Sequence, residues 1–299
     1  MNILYFLIKI NSNFVFNKLV FKVCTVNQLY VSIYLINKVT MNVDQVYEKF
    51  FVSAKVVMFF LYYLGGININ LNLMDIIDYT NIVSPQSLFI TIITSFFISL
   101  VFSLQIAKEF MYLDAVQLVG TVFAVSFIRE LSPVLTSIVI VGKVCSSFTS
   151  ELATMVSTEQ LDALFVLGIN PINYLILPRI ISMIIGLPML NFISIITSVL
   201  SGVFICCIFY SINPSIFLSA VFYNSLMFDL FKSVVKTVVF AFFIGLISCV
   251  WGITSLGGSR AVGLSTTSSV VNCLLIIFIL NFILSYLLFD NLMSSFQFA

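Results

Sequence analysis

Between Arg179 and Asp229 the chain runs for 49 residues without a single Asp, Glu, Lys or Arg. A stretch that is apolar all round must be buried, in a large core or in a bilayer. Composition decides between the two. Of 299 residues, 61% are hydrophobic and only 8% charged, against about 25% charged in soluble domains. Such a chain cannot cover its surface in water. In hydrocarbon, backbone groups must be satisfied within the structure, and apolar runs of about 20 residues suit helices rather than strands. The expected fold class is all-α and integral to a membrane.

Charge-free gaps mark the crossings. No charge lies between Asp78 and Lys108, and Ser87–Ala107 is long enough to cross. Residues 115–142 form a second span with Arg129 and Glu130 near its middle. A third covers about 180–209, followed by a membrane-level loop or short helix around Asn213–Asn224. Residues 233–254 and 268–289 give the fourth and fifth.

Ahead of the spans, apolar residues from Val43 to Leu61 fall on one helical stripe, with Asp44, Glu48 and Lys49 largely off it. That pattern predicts an N-terminal interfacial amphipathic helix. Three regions follow: an extension at 1–42, the interfacial helix and linker at 43–74, and the transmembrane domain at 75–299. Lysines at 9, 18, 22 and 38 interrupt the first apolar runs, and no small-residue cleavage site follows them, unlike a signal peptide. With five crossings and the N-terminus inside, nine Lys and Arg fall inside and three, Lys108, Lys232 and Lys236, outside. The positive-inside rule selects that orientation. It makes 143–179 the main internal loop.

A net charge of +1 gives no argument for nucleic acid. The six cysteines are scattered and form no CxxC, and there is no histidine. That removes His-ligated haem, His zinc sites and His general bases together. No catalytic residue, metal site or cofactor is expected.

The charges that remain inside the spans are therefore informative. A charge at mid-bilayer costs roughly 2.5–3.5 kcal/mol even on a lenient insertion scale. Arg129, Glu130, Asp229 and Lys236 should face protein or water and find partners there. They line a substrate path or form a structural ion-pair cluster, and the pattern alone leaves both open. Gly168 and Pro171 supply stop signals for an internal helix at about 144–168. On it Glu151, Met155, Glu159 and Asp162 recur at four, four and three residues. One face would then be acidic, as a dock for a soluble partner or simply as a solvated face.

From Arg129 to Arg179 the chain reads RELSP, GK, SE with ATM, STEQLDAL, GINP and LPR. This run resembles the signature of MlaE-type permeases, close to RELGP, GR, AE with GTM, TEQIDAL, G with P, and PR. The likeness extends from about residue 43 to 289, with Gln105 and the Asp229–Lys236 spacing. Ser132, Lys143 and Ser150 depart from the usual Gly, Arg and Ala. The resemblance implies the permease subunit of an ATP-binding-cassette transporter of lipids, phospholipids foremost, and no enzyme activity of its own. It also implies a homodimer, a separate ABC ATPase docking on the internal helix (Glu151, Met155, Glu159, Gln160, Asp162), and an MCE-domain lipid-binding protein outside. Abundant Phe, Ile and Asn suggest an AT-rich genome and a plastid inner envelope membrane, with a bacterial inner membrane as the alternative. Two rival classes stay open: a secondary transporter with intramembrane coupling charges, and an intramembrane enzyme using Glu130 or Asp229.

Overall fold

The computed structural model describes residues 73–169, 171–223, 226–255 and 257–289. Every regular element among them is helical. In order they are α1 (Leu73–Val83), α2 (Pro85–Tyr112), α3 (Leu118–Ser157), α4 (Gln160–Val166), α5 (Ile172–Tyr210), α6 (Pro214–Tyr223), α7 (Leu226–Ile253) and α8 (Ser259–Phe289). Five stretches are long and apolar enough to cross a membrane: α1 with α2, then α3, α5, α7 and α8. The expected interfacial helix at 43–61 and the extension at 1–42 lie outside the described residues.

The core runs down the length of the bundle. Val144, Phe148, Met183, Leu187, Phe240 and Trp251 bring α3, α5 and α7 together. A second cluster around Phe123, Phe127 and Phe217 joins α3 to α6. A third, with Leu152, Leu161, Ile176 and Leu246, closes the end where α4 sits. Apolar contact alone gives little drive between helices in lipid, so polar and small residues join them. On α2 the buried residues are Ser87, Thr91, Ser95, Ser99, Ser103 and Ala107, one every fourth position. This stripe meets α5. Ser95 and Thr197 share a hydrogen bond of 2.6 Å, Ser99 donates to the Ser198 carbonyl at 2.8 Å, and Ser201 donates to Ser99 at 2.7 Å.

Two expectations need correction. The helix of the second span does not end near residue 142. Helix α3 continues to Ser157 as one 40-residue helix, about 60 Å long at 1.5 Å per residue, twice the hydrocarbon thickness. Lys143, part-way along it, donates to the Gln86 carbonyl at the start of α2. The other correction follows from it. There is no single internal helix over 144–168. Its first half is the end of α3, and the helix breaks at Thr158–Glu159, where Glu159 is left-handed at φ 58°. The Thr158 N–H still reaches the Thr154 carbonyl at 3.0 Å, where the Ser157 and Thr158 hydroxyls also donate at 2.9 and 2.8 Å, and the ladder stops there. The short helix α4 follows the break, so the acids do not lie on one continuous helix.

Candidate functional site

Proline sets up the charged site. Pro133 has no N–H to give the carbonyl of Arg129, four residues back. The backbone just before it is a π turn, Phe127–Leu131, closed by Ser132 N–H to the Phe127 carbonyl. Such turns inside α-helices are frequent at functional sites. Pro178 likewise follows a π turn, Ile172–Ile176 in α5. The carbonyl left over at Arg129 is taken by the ammonium of Lys236 on α7, at 3.2 Å.

Two ion pairs form at this turn. Arg129 Nε lies 3.0 Å from Asp229 Oδ1, both nearly buried. Lys236 Nζ lies 2.9 Å from Glu130 Oε2. Adjacent residues on a helix point about 100° apart, and Arg129 and Glu130 accordingly serve different partners. The lysine side chain is 0% exposed, whereas that of Glu130 is 41% exposed. The pair therefore has one sealed end and one open end. From α8, Asn281 Nδ2 and Ser285 Oγ also donate to Glu130 Oε2, at 3.3 and 3.0 Å, and Lys236 donates to Ser285 Oγ at 2.9 Å. Next along α3, Ser132 donates to Asn191 Oδ1 at 2.6 Å, and Asn191 Nδ2 donates to Ser233 at 2.9 Å.

A second ionic centre lies further along α3. Arg179 is 1% exposed and its guanidinium bonds the Phe148 carbonyl (3.2 Å), Tyr79 Oη (3.4 Å) and Glu151 Oε2 (3.1 Å). It also stacks over the rings of Tyr79 and Phe148, 5.0 and 5.3 Å from their centroids. Glu151 is thus turned toward the bundle. Met155 is half-buried and packs on the third core cluster, while Glu159, Gln160 and Asp162 are exposed. Exposed Val166 and Leu167 share that surface. From Arg129 to Glu151 is 22 residues, about 33 Å of helix, close to the hydrocarbon thickness of about 30 Å. Arg129 and Glu130 lie about 18 Å from the start of α3, a helix that extends to Ser157.

The model of the family described as Permease MlaE matches residues 76–287. The chain belongs to the MlaE permease family. It is 46% identical over 243 residues to a "probable ABC transporter permease protein", ycf63, of Pyropia yezoensis, covering 81% of this chain and 92% of that one. A protein of the same description from Synechocystis, slr1045, is 43% identical over 242 residues, covering 81% and 90%. The Arabidopsis thaliana protein TRIGALACTOSYLDIACYLGLYCEROL 1, chloroplastic, is 40% identical over 207 residues, 69% of this chain and 59% of the plant protein. The chain is therefore an ABC transporter permease subunit, a multi-pass protein of a plastid or bacterial membrane. The gradient-driven and enzymatic readings do not describe such a subunit.

Arg129, Glu130, Asp229 and Lys236 come together across α3 and α7. Glu151, Met155, Glu159, Gln160 and Asp162 do not form one face. Sequence reasoning missed Asn281 and Ser285, although two polar residues four apart in the last apolar span were a signal. It also missed Arg179, treated as a marker of orientation rather than as a buried hub.

Proposed function

We propose that this permease moves a lipid, with a phospholipid as the first candidate, and that its headgroup passes the Arg129–Asp229 and Glu130–Lys236 pairs. The observation that carries this reading is the half-open Glu130–Lys236 pair, a sealed cation joined to a carboxylate that faces outward. A polar headgroup needs polar partners within an apolar bundle, and paired charges provide them at low cost because neither is left alone. The plant relative is named for a galactolipid, in keeping with a lipid cargo.

The working unit is two copies of the chain with a separate ABC ATPase and an MCE-domain partner on the opposite face, in a plastid inner envelope membrane. The N-terminus lies inside. Residues 75–299 form the permease domain, after an interfacial segment at 43–74 and an extension at 1–42. The ATPase docks on the end of the bundle with Glu159, Gln160, Asp162, Val166 and Leu167. Glu151 and Met155 stand behind that surface, with Glu151 tied to Arg179. The test is purification in mild detergent followed by reconstitution with labelled phospholipid. An ATPase that copurifies, and lipid transfer that requires ATP and falls at least tenfold in Glu130→Gln, support the reading. ATP-independent transfer, or transfer unchanged in Glu130→Gln, refutes it.

A further inference from the structure

We propose that Asn281 and Ser285 of α8 are positioning residues that orient the Glu130 carboxylate toward the headgroup, an inference that rests on the lipid reading above. Two donors converge on one oxygen, Glu130 Oε2, from Lys236 at 2.9 Å and Asn281 at 3.3 Å, and the single proton of Ser285 is shared between that oxygen at 3.0 Å and the Asn281 carbonyl at 2.7 Å. The other oxygen accepts no hydrogen bond among the described residues, and the side chain is 41% exposed. The carboxylate is pinned at one oxygen and presents the other. A lysine alone would not do this. An ammonium is a compact point charge that leaves a carboxylate free to swing around it, whereas two further donors from a separate helix fix the plane.

The way Asn281 is held supports a positioning role. Its Oδ1 is buried and has no hydrogen-bond partner among the described residues. An unsatisfied buried acceptor is costly, and such groups call for an explanation. Turning the amide over would place that oxygen against the Glu130 carboxylate, two acceptors face to face. The amide orientation is thus dictated by Glu130, and the orphaned oxygen is its consequence. Ser285 accepts from Lys236 at 2.9 Å, and its proton bridges Glu130 at 3.0 Å and the Asn281 carbonyl at 2.7 Å.

The rest of α8 shows how much this contact matters to that helix. It is the least buried of the five spans. It is anchored by buried Cys273 and Ile277, with Leu280 and Leu284 packed on the same core. Beyond Ile277, Phe278, Ile279, Phe282, Ile283, Tyr286 and Leu287 are exposed. Asn281 and Ser285 add polar contacts to this apolar hold.

The experiment uses the permease purified with its ATPase and reconstituted in phosphatidylcholine vesicles. These carry graded fractions of phosphatidylglycerol, phosphatidylethanolamine or a galactosyl diacylglycerol, and ATP hydrolysis is followed against lipid fraction. Hydrogen bonds to a charged group are the stronger kind. Ser285→Ala should raise the half-activating fraction about tenfold, with the rate at saturating lipid within about twofold of wild type. Ser285→Thr, which keeps the hydroxyl, should restore it. Asn281→Leu should act in the same direction as Ser285→Ala. If Glu130→Gln shifts the half-activating fraction and Ser285→Ala does not, the positioning role is wrong while the lipid reading stands. If Ser285→Ala lowers the yield of assembled complex and Thr fails to rescue activation, the contact is only structural and the proposal falls. If no lipid activates the wild type, or Glu130→Gln shifts nothing, the lipid reading fails and this inference fails with it.

Discussion

Removing one partner at a time from the Glu130–Lys236 pair should have unequal effects, because the two ends differ in exposure. Glu130→Gln keeps the shape and deletes the counter-charge of a lysine whose side chain is 0% exposed. That ammonium keeps the Arg129 carbonyl and the Ser285 hydroxyl but loses the Glu130 carboxylate. Breaking a buried pair from one side costs about 3–5 kcal/mol. The amide oxygen of Gln still accepts one bond, so about 3 kcal/mol is expected. Lys236→Met leaves a carboxylate that is 41% exposed and still bonded by Asn281 and Ser285. Water screens what remains, and the lost pair itself contributes about 1 kcal/mol. The Arg129 carbonyl loses its partner because Pro133 cannot replace Lys236, which adds about 1 kcal/mol. The double variant carries no lone charge, and its loss should resemble that of Lys236→Met, about 2 kcal/mol.

The assay is a double-mutant cycle on two readouts, thermal midpoint in detergent and ATP-dependent lipid transfer in vesicles. On stability, the double variant should be better than Glu130→Gln alone by about 1 kcal/mol. On transfer, it should be no better than either single variant, because the group that meets the headgroup is gone. Additive losses in stability would refute the argument from unequal burial. Full recovery of transfer in the double variant would refute contact with substrate and leave a structural ion pair.

Glu151→Gln should lower the thermal midpoint by the equivalent of about 3 kcal/mol, because it leaves a guanidinium whose side chain is 1% exposed without its carboxylate. Arg179→Ala leaves a carboxylate that is 40% exposed, so its loss of about 2–5 kcal/mol comes from the emptied side-chain volume and the lost stacking on Tyr79 and Phe148. A Glu151→Gln variant as stable as wild type would contradict the geometry. Charge reversal at Glu159 and Asp162, with Gln160→Ala, should leave insertion intact and abolish copurification of the ATPase; wild-type recovery of the ATPase would exclude this docking surface. Gly120→Ala puts a Cβ 2.7 Å from the Phe217 carbonyl on α6, a clash expected to cost about 1–3 kcal/mol in thermal unfolding. Cysteine labelling should reach position 165 from the inner side and position 299 from the outer side, and inner-side labelling of position 299 would overturn the topology.

What the sequence made legible follows from which signals are local. Charge-free gaps report solvent, and so the number of crossings could be read from them. Helix ends could not, because a charge reports what the side chain meets and not where the helix stops: α3 passes through Lys143 to Ser157. The break at Thr158–Glu159 was equally hidden, since it sits at a left-handed Glu159 and not at a Gly or Pro. Among the charges, residue type predicted that partners must exist, while the pairing depended on the π turn before Pro133. That turn rotates Arg129 toward Asp229 and leaves its carbonyl for Lys236. The serine stripe of α2 was visible as a four-residue repeat within an apolar run, yet hydropathy averages it away. The general reason is that in a membrane the apolar pattern specifies only where a helix lies. Which helix it meets is written in the few polar atoms, and their pairing is a property of the assembled bundle.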